Sequence, residues 1–234
     1  MVCELRDFAG RMGNEAMRII SIWDLPTRIF HWALAICVGV ALIVTPEGGS
    51  GFIVHATAGY LALLLVIFRL PWGFLGSRRS RFADFLYPPD KVIDFALQHL
   101  RFKVTRYIGH NPLGGWMVVV LLLFVAGAAV TGLLGGSWRG LHGLFGNLLI
   151  LLVLLHIFGV VVDALLTRDN IVWAMITGRK KVDDAAAAKE PALVGWWRAL
   201  VLALLVAGVG GYLYGQVDWT GLAAEHRGGG EGAE

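Results

Sequence analysis

The sequence has few charged residues, since Asp, Glu, Lys and Arg make up only 16% of the chain. An average soluble domain has about 25%. Hydrophobic residues make up 57% of the 234 positions, and the mean hydropathy is +0.67. This composition is typical of a membrane bundle and excludes an ordinary soluble domain. The formal net charge of +3 is modest, and we expect no nucleic-acid partner.

Cysteine is scarce as well, with only Cys3 and Cys37. One lies in a polar leader and the other inside an apolar run, so we predict no disulfide. The sequence has no Cys-x-x-Cys-His haem-attachment motif and no Cys-x-x-Cys zinc spacing. The sequence therefore offers no site at which a cofactor could be attached through thioether bonds. A nucleotide-binding loop, a flavin motif and a catalytic carboxylate pair are also missing, so we assign no catalytic residue.

Several apolar runs reach about 20 residues, the length that crosses the hydrocarbon core of a bilayer. We predict an all-α integral membrane protein, with a four-helix transmembrane core and a fifth C-terminal transmembrane helix. The predicted spans are Thr27 to Val44, Phe52 to Trp72, Pro112 to Leu134, Leu141 to Leu166 and Leu193 to Gly215.

Basic residues are nearly absent from two of the connecting turns. The turn after the first span has none, and the turn after the third has only Arg139. The leader, the 76–111 loop and the linker after the fourth span hold clusters of Lys and Arg. The positive-inside rule then places the N-terminus in the cytoplasm and the C-terminus outside, which in a bacterial inner membrane is the periplasm. The segment from Asp90 to Phe102 predicts an amphipathic helix on the membrane surface.

Four histidines lie inside the predicted spans: His31, His55, His142 and His156. The last two share one helix, where 14 residues return to within about 40° of the same face and rise about 21 Å. The topology gives inner depth to His31 and His156, and outer depth to the other two. Facing imidazoles can supply both axial ligands of a haem iron. We therefore predict two stacked, bis-histidine b haems, pairing His31 with His156 and His55 with His142.

A single histidine in a membrane span is more often an interhelical hydrogen-bonding residue than a ligand. Polar residues in spans are nevertheless rare and usually functional, and two depth-matched pairs favour ligation. The pairs lie too far apart for one metal cluster, and they lack nearby carboxylates. His99 and His110 in the loop and His226 in the tail are predicted to be solvated.

Neighbouring residues fit porphyrin binding less specifically. Gly59 and Gly146 each follow a histidine by four residues and would clear a flat surface, although small residues also simply let helices pack closely. Arg69 follows His55 by 14 residues and could pair with a propionate of the inner haem; an ordinary interfacial arginine is the alternative. Asp24 and Arg28 are the candidate quinone contacts beside the inner haem, and Asp24 could instead be a helix N-terminal residue that interacts with the helix dipole.

Four segments together resemble one known family. They are WDLPTRIFHW, FIVHATAGYLALLLVIFRLPWGFLG, GHNPLGGWM and LHGLFGNLLILLVLLHIFGVVVDALLTRDNIVWAMITGRK. These motifs are similar to the bacterial cytochrome b561 family, which includes the b-type cytochrome subunits of nickel hydrogenases. The resemblance covers about residues 20–180 and implies two b haems bound by the same four histidines. The chain departs from it at Gly143, where many members have an acidic residue.

The resulting division of the chain has five parts. Residues 1–19 are a cytoplasmic, disordered leader; 20–180 form the di-haem domain; 181–192 are a linker; 193–215 form the fifth transmembrane helix; and 216–234 are an external tail.

The resemblance implies electron transfer between the quinone pool and a periplasmic partner, a cytochrome c or a hydrogenase or dehydrogenase subunit. The chain is then an electron-transfer subunit of an oxidoreductase. A stand-alone superoxide:quinone oxidoreductase ranks second, because the outer loops offer only Arg139 as a basic residue. A non-redox membrane adaptor or transporter is the alternative of another class.

Overall fold

A computed structural model describes residues 17–44, 49–101, 105–183 and 191–221. Within these ranges the structure has two strands and eight α-helices. In chain order they are β1 (Met17–Ser21), α1 (Leu25–Ile43), α2 (Gly49–Leu75), α3 (Phe82–Phe85), α4 (Pro89–Leu100), α5 (Pro112–Leu134), α6 (Arg139–Thr167), α7 (Ile171–Thr177), β2 (Arg179–Asp183) and α8 (Trp196–Gln216).

Five of these helices (α1, α2, α5, α6 and α8) are long and apolar enough to cross a membrane. The predicted all-α membrane fold is confirmed, and the bounds of α5 agree with the prediction. The second span is longer than predicted, because Pro71 lies inside α2 rather than ending it. Proline is tolerated within transmembrane helices when neighbouring groups satisfy the freed carbonyl.

The long helices pack in chain order, α1 on α2, α2 on α5 and α5 on α6, while α8 lies against α2. Their shared core is built around Phe30, Trp72, Leu122 and Leu149. The contacts of α6 with α1 and α2 are few by comparison. The four span histidines lie on α1, α2 and α6, so they face this loosely filled side of the bundle.

An antiparallel pair of strands closes one end of the bundle. Met17 of β1 is paired with Asp183 of β2, and the register continues to Ser21 opposite Arg179. The backbone N–H of Ile22 also donates to the carbonyl of Gly178, at 2.8 Å. The predicted disordered leader is therefore wrong for residues 17–19, which belong to β1. The remaining leader residues 1–16, the linker residues 184–190 and the tail residues 222–234 lie outside the described ranges.

Four transmembrane crossings separate β1 from β2, so both strands lie at the same end, which we call the strand end. The 76–111 loop lies there too, and its predicted amphipathic helix is α4. Phe95 of α4 is buried, and the helix packs against α5. The guanidinium of Arg28 donates to the carbonyl of Ile176 at 2.6 Å, which ties α1 to α7.

Candidate functional site

At the strand end, His31 of α1 faces His156 of α6. Their ring centres are 6.5 Å apart, with 56° between the ring planes. The Nδ1 atom of His31 is buried and has no hydrogen-bond partner within the described part of the chain. The start of α1, capped by Asp24 and followed by Pro26, fixes where His31 projects.

At the opposite end, His55 of α2 faces His142 of α6, with ring centres 5.8 Å apart and 84° between the planes. Each Nδ1 is hydrogen-bonded to a backbone carbonyl, that of Ala41 at 2.8 Å for His55 and that of Ala128 at 2.9 Å for His142. A carbonyl only accepts, so Nδ1 carries the proton in both rings and the lone pair is on Nε2. Metal-binding histidines are usually oriented by a bond of this kind.

The separation of the rings fits one metal ion between each pair. Two metal–nitrogen bonds of about 2 Å, with the distance from each nitrogen to its ring centre, require about 6 Å between the centres. The observed separations are 6.5 and 5.8 Å. The sequence therefore predicted which histidines meet, and both pairs suit axial ligation of a haem iron.

A cleft opens beside the opposite-end pair, with an empty volume of about 700 Å³ when its open side is included. Space is also open where a Cβ would stand at Gly59 and at Gly146. At Gly132, a Cβ would come within 3.0 Å of the His142 ring, so the missing side chain lets that imidazole approach α5. Further lining residues include Phe52, Tyr60, Thr131, Arg139 and Trp219.

Arg69 is buried at the strand end, with 2% of its surface exposed. Its Nη2 donates to the carbonyl of Ser80 at 2.8 Å, and its guanidinium carbon lies 4.9 Å from the ring centre of Phe82. Its Nη1 is buried and has no hydrogen-bond partner among the described residues. A buried cation with one unsatisfied nitrogen suits a carboxylate partner such as a haem propionate.

Asp24 is enclosed rather than open to the bilayer, with 2% exposure. Its carboxylate accepts hydrogen bonds from Thr27 N at 2.8 Å, from Ser80 Oγ at 2.8 Å and from Ser77 N at 3.3 Å. Burial raises its pKa, but these hydrogen bonds outweigh burial and lower the pKa below 3.8. Asp24 is the N-cap of α1. The structure therefore supports the role at the helix N-terminus, which was the alternative to a quinone contact.

Two loop histidines predicted to be solvated are instead partly buried. His99 of α4 lies with Nε2 3.4 Å from the Asp163 carboxylate of α6. His110 is packed between Trp23 and Phe85, with ring centres 4.7 and 4.6 Å away. Burial lowers the pKa of His110 from 6.5 to about 3, helped by the positive charge of Arg69.

The burial of His110 could have been inferred from its place just before the helix-capping Asn111 and Pro112, where the chain enters the bundle. His226 lies outside the described residues, so its predicted exposure stays a prediction.

A bundle of apolar helices with two facing histidine pairs defines the class of b-type membrane cytochromes. The comparison with known proteins agrees. The sequence pattern of the prokaryotic cytochrome b561 family matches residues 22–178, and the chain belongs to this family. Such a cytochrome carries haem b and takes part in electron transfer, so the non-redox adaptor or transporter is not supported.

Curated relatives point the same way. A probable Ni/Fe-hydrogenase B-type cytochrome subunit of Bradyrhizobium diazoefficiens is 25% identical over 219 residues, covering 70% of this chain and 87% of the relative. The protein of the same description from Azotobacter chroococcum is 27% identical, covering 74% and 94%. The corresponding hydrogenase 1 subunit of Escherichia coli K12 is 22% identical, covering 51% and 64%. No solved structure matches the chain.

Proposed function

We propose that this chain is a di-haem cytochrome that carries electrons across the bacterial inner membrane, between a periplasmic redox partner and the quinone pool. The observation that carries the proposal is the presence of two facing histidine pairs, one near each end of the bundle. When bound, haem b supplies one-electron chemistry at each pair.

The four histidines would hold and orient the two groups. His142 and His156 fix the spacing between the sites, because 14 residues of α6 rise about 21 Å in a hydrocarbon core about 30 Å thick. The carbonyl bonds of His55 and His142 orient those rings and would present Nε2 to the metal. Arg69 would hold a propionate at the strand end, and Gly59 and Gly146 leave room for the flat faces.

The strand end is proposed to be cytoplasmic, which makes the C-terminal end of α8 periplasmic. The names of the relatives favour a hydrogenase subunit as the periplasmic partner. A dehydrogenase subunit or a cytochrome c is the alternative redox partner on that side. Membrane lipid surrounds the spans, since their outward faces carry large exposed hydrophobic side chains.

Quinone is proposed to react at the strand end, beside His31. Asp24 and Arg28 were the predicted contacts, but each already has partners in the protein. Asp24 would therefore act as a positioning residue, by holding Thr27 and Ser80, rather than by touching the quinone. Arg28 keeps a buried Nε without a hydrogen-bond partner in the described part of the chain, and this atom is one donor that could reach a head group.

Vesicles containing the purified protein test the transmembrane path. A membrane-impermeant reductant is added outside, and ferricyanide is trapped inside as the acceptor. We expect ferricyanide reduction with the wild type and its loss in His156→Ala, while His226→Ala serves as the matched histidine control. Equal rates in wild type and His156→Ala would contradict the proposal.

The partner is tested in native membranes of the source bacterium. If a hydrogenase is the donor, hydrogen gas reduces the b-type absorption bands, and deleting the gene for this chain stops hydrogen-dependent quinone reduction. Reduction by another donor, with no response to hydrogen, would assign the chain to a dehydrogenase or a cytochrome c instead. Superoxide-dependent quinone reduction by the protein alone would favour the stand-alone superoxide:quinone oxidoreductase.

A further inference from the structure

The fifth helix has no assigned role, because the family match ends at residue 178 and α8 begins at Trp196. Yet Trp219, three residues beyond the end of α8, lines the same cleft as His55 and His142. A residue outside the family core thus contributes to the wall of the opposite-end site.

Close packing fixes α8 against α2 beside that site. A Cβ at Gly210 would come within 2.6 Å of Leu64, so glycine is what permits this approach of the two helices. The hydroxyl of Tyr60, on α2, donates to the Gly210 carbonyl at 2.7 Å, and this bond is buried. The hydroxyls of Thr57 and Tyr214 form a second link, at 3.0 Å.

Hydrogen bonds aim Trp219 back toward the cleft after the helix ends. Its Nε1 donates to the carbonyl of Tyr214 at 3.1 Å. The Asp218 carboxylate accepts from Thr220 N at 3.1 Å and from Gly221 N at 2.9 Å, which fixes the turn that carries the indole.

The rings of Tyr60, Tyr214 and Trp219 pack together and form one continuous aromatic surface. The Trp219 ring centre lies 4.6 Å from that of Tyr214 and 6.0 Å from that of Tyr60, while Tyr60 and Tyr214 are 5.3 Å apart. Tyr60 is 6% exposed, so the surface is anchored in the protein rather than lying loosely on it.

We propose that Tyr60, Tyr214 and Trp219 form an aromatic cap on the opposite-end haem site. The inference rests on the proposed function, since it assigns these rings to the pocket of that haem. The cap slows the access of water and small hydrophilic oxidants to the site, which favours electron exchange there through a docked redox protein. It also stabilises the reduced, less positively charged state, because solvent exposure and burial set the potential of such a group.

The test compares Trp219→Ala with Trp197→Ala, which changes an exposed tryptophan at the other end of α8. Purified holoprotein is assayed for haem content, for the midpoint potentials of both haems and for the rate of oxidation by ferricyanide. We expect Trp219→Ala to oxidise several-fold faster and to lower the potential of the opposite-end haem alone. Trp197→Ala should match the wild type in all three.

A normal haem content with unchanged potentials and an unchanged oxidation rate in Trp219→Ala would overturn the cap and leave the proposed function intact. Loss of only the opposite-end haem would support the cap as a pocket wall. If the alanine variant does not fold, Trp219→Leu decides: a smaller change in the same direction supports the cap, and wild-type values overturn it. Fewer than two haems in the wild type would instead count against the proposed function.

Discussion

His31 and His156 face each other at 6.5 Å between ring centres, and the buried Nδ1 of His31 has no carbonyl partner in the described part of the chain. The opposite-end pair differs, because both of its rings donate to carbonyls. Such a bond makes an imidazole a more basic ligand, which favours the oxidised metal. The buried cation of Arg69 at the strand end favours the reduced state there.

We therefore expect the strand-end haem to have the higher midpoint potential, which favours electron flow from the periplasmic partner toward the quinone. Arg69→Gln should lower that potential by on the order of tens of millivolts, the effect of one charge in a medium of intermediate dielectric. Arg69→Lys, which keeps the charge, is the control. Redox titration of the purified protein measures the strand-end potential in both variants. An unchanged potential in Arg69→Gln would mean that the charge of Arg69 does not act on that haem.

Asp24 is predicted to act on stability. Asp24→Ala should destabilise the fold by about 1–2 kcal/mol through the lost N-cap, while Asp24→Asn should cost less because asparagine also caps. The carboxylate has a lowered pKa in the folded state, so its contribution is present above the ordinary value of 3.8 and is lost as the pH falls through the folded-state pKa.

Thermal unfolding of Asp24→Ala and wild type at several pH values checks this. The difference between them should be constant at neutral pH and shrink in acid. Quinone turnover in Asp24→Asn gives a separate readout: a slower rate with intact haem spectra supports the positioning role, and an unchanged rate moves the quinone site away from Asp24.

The sequence was sufficient for the spans and for which histidines meet. The apolar runs set the five helices, and the direction of each span set the depth of each imidazole. Both follow from local composition and from counting crossings, with no knowledge of packing.

Contacts between segments that are far apart in the sequence could not be predicted from local composition and the count of crossings. The pairing of Met17 with Asp183 joins distant segments that carry no strong strand pattern alone. The enclosure of Asp24 depends on Ser77 and Ser80, whose position is set by how the 76–111 loop folds back. The part played by Trp219 in the cleft likewise required the packing of α8 on α2.

Topology is tested with single cysteines in a background where Cys3 and Cys37 are serine. Asp90 of α4 and Ser137 of the turn before α6 are both exposed and lie at opposite ends of the bundle. A membrane-impermeant maleimide added to intact cells should label Ser137→Cys, through the periplasm, and should label Asp90→Cys only after lysis. Labelling of both in intact cells would refute the proposed orientation.

The haem content of histidine variants tests the central claim most directly. A pyridine haemochrome assay on purified wild type should give two b haems per chain. Alanine at His55 or His142 should remove the opposite-end haem and leave only the strand-end haem. Alanine at His31 or His156 should leave only the opposite-end haem, which has a different midpoint potential. One haem per chain in the wild type, or two in any of these four variants, would contradict the account.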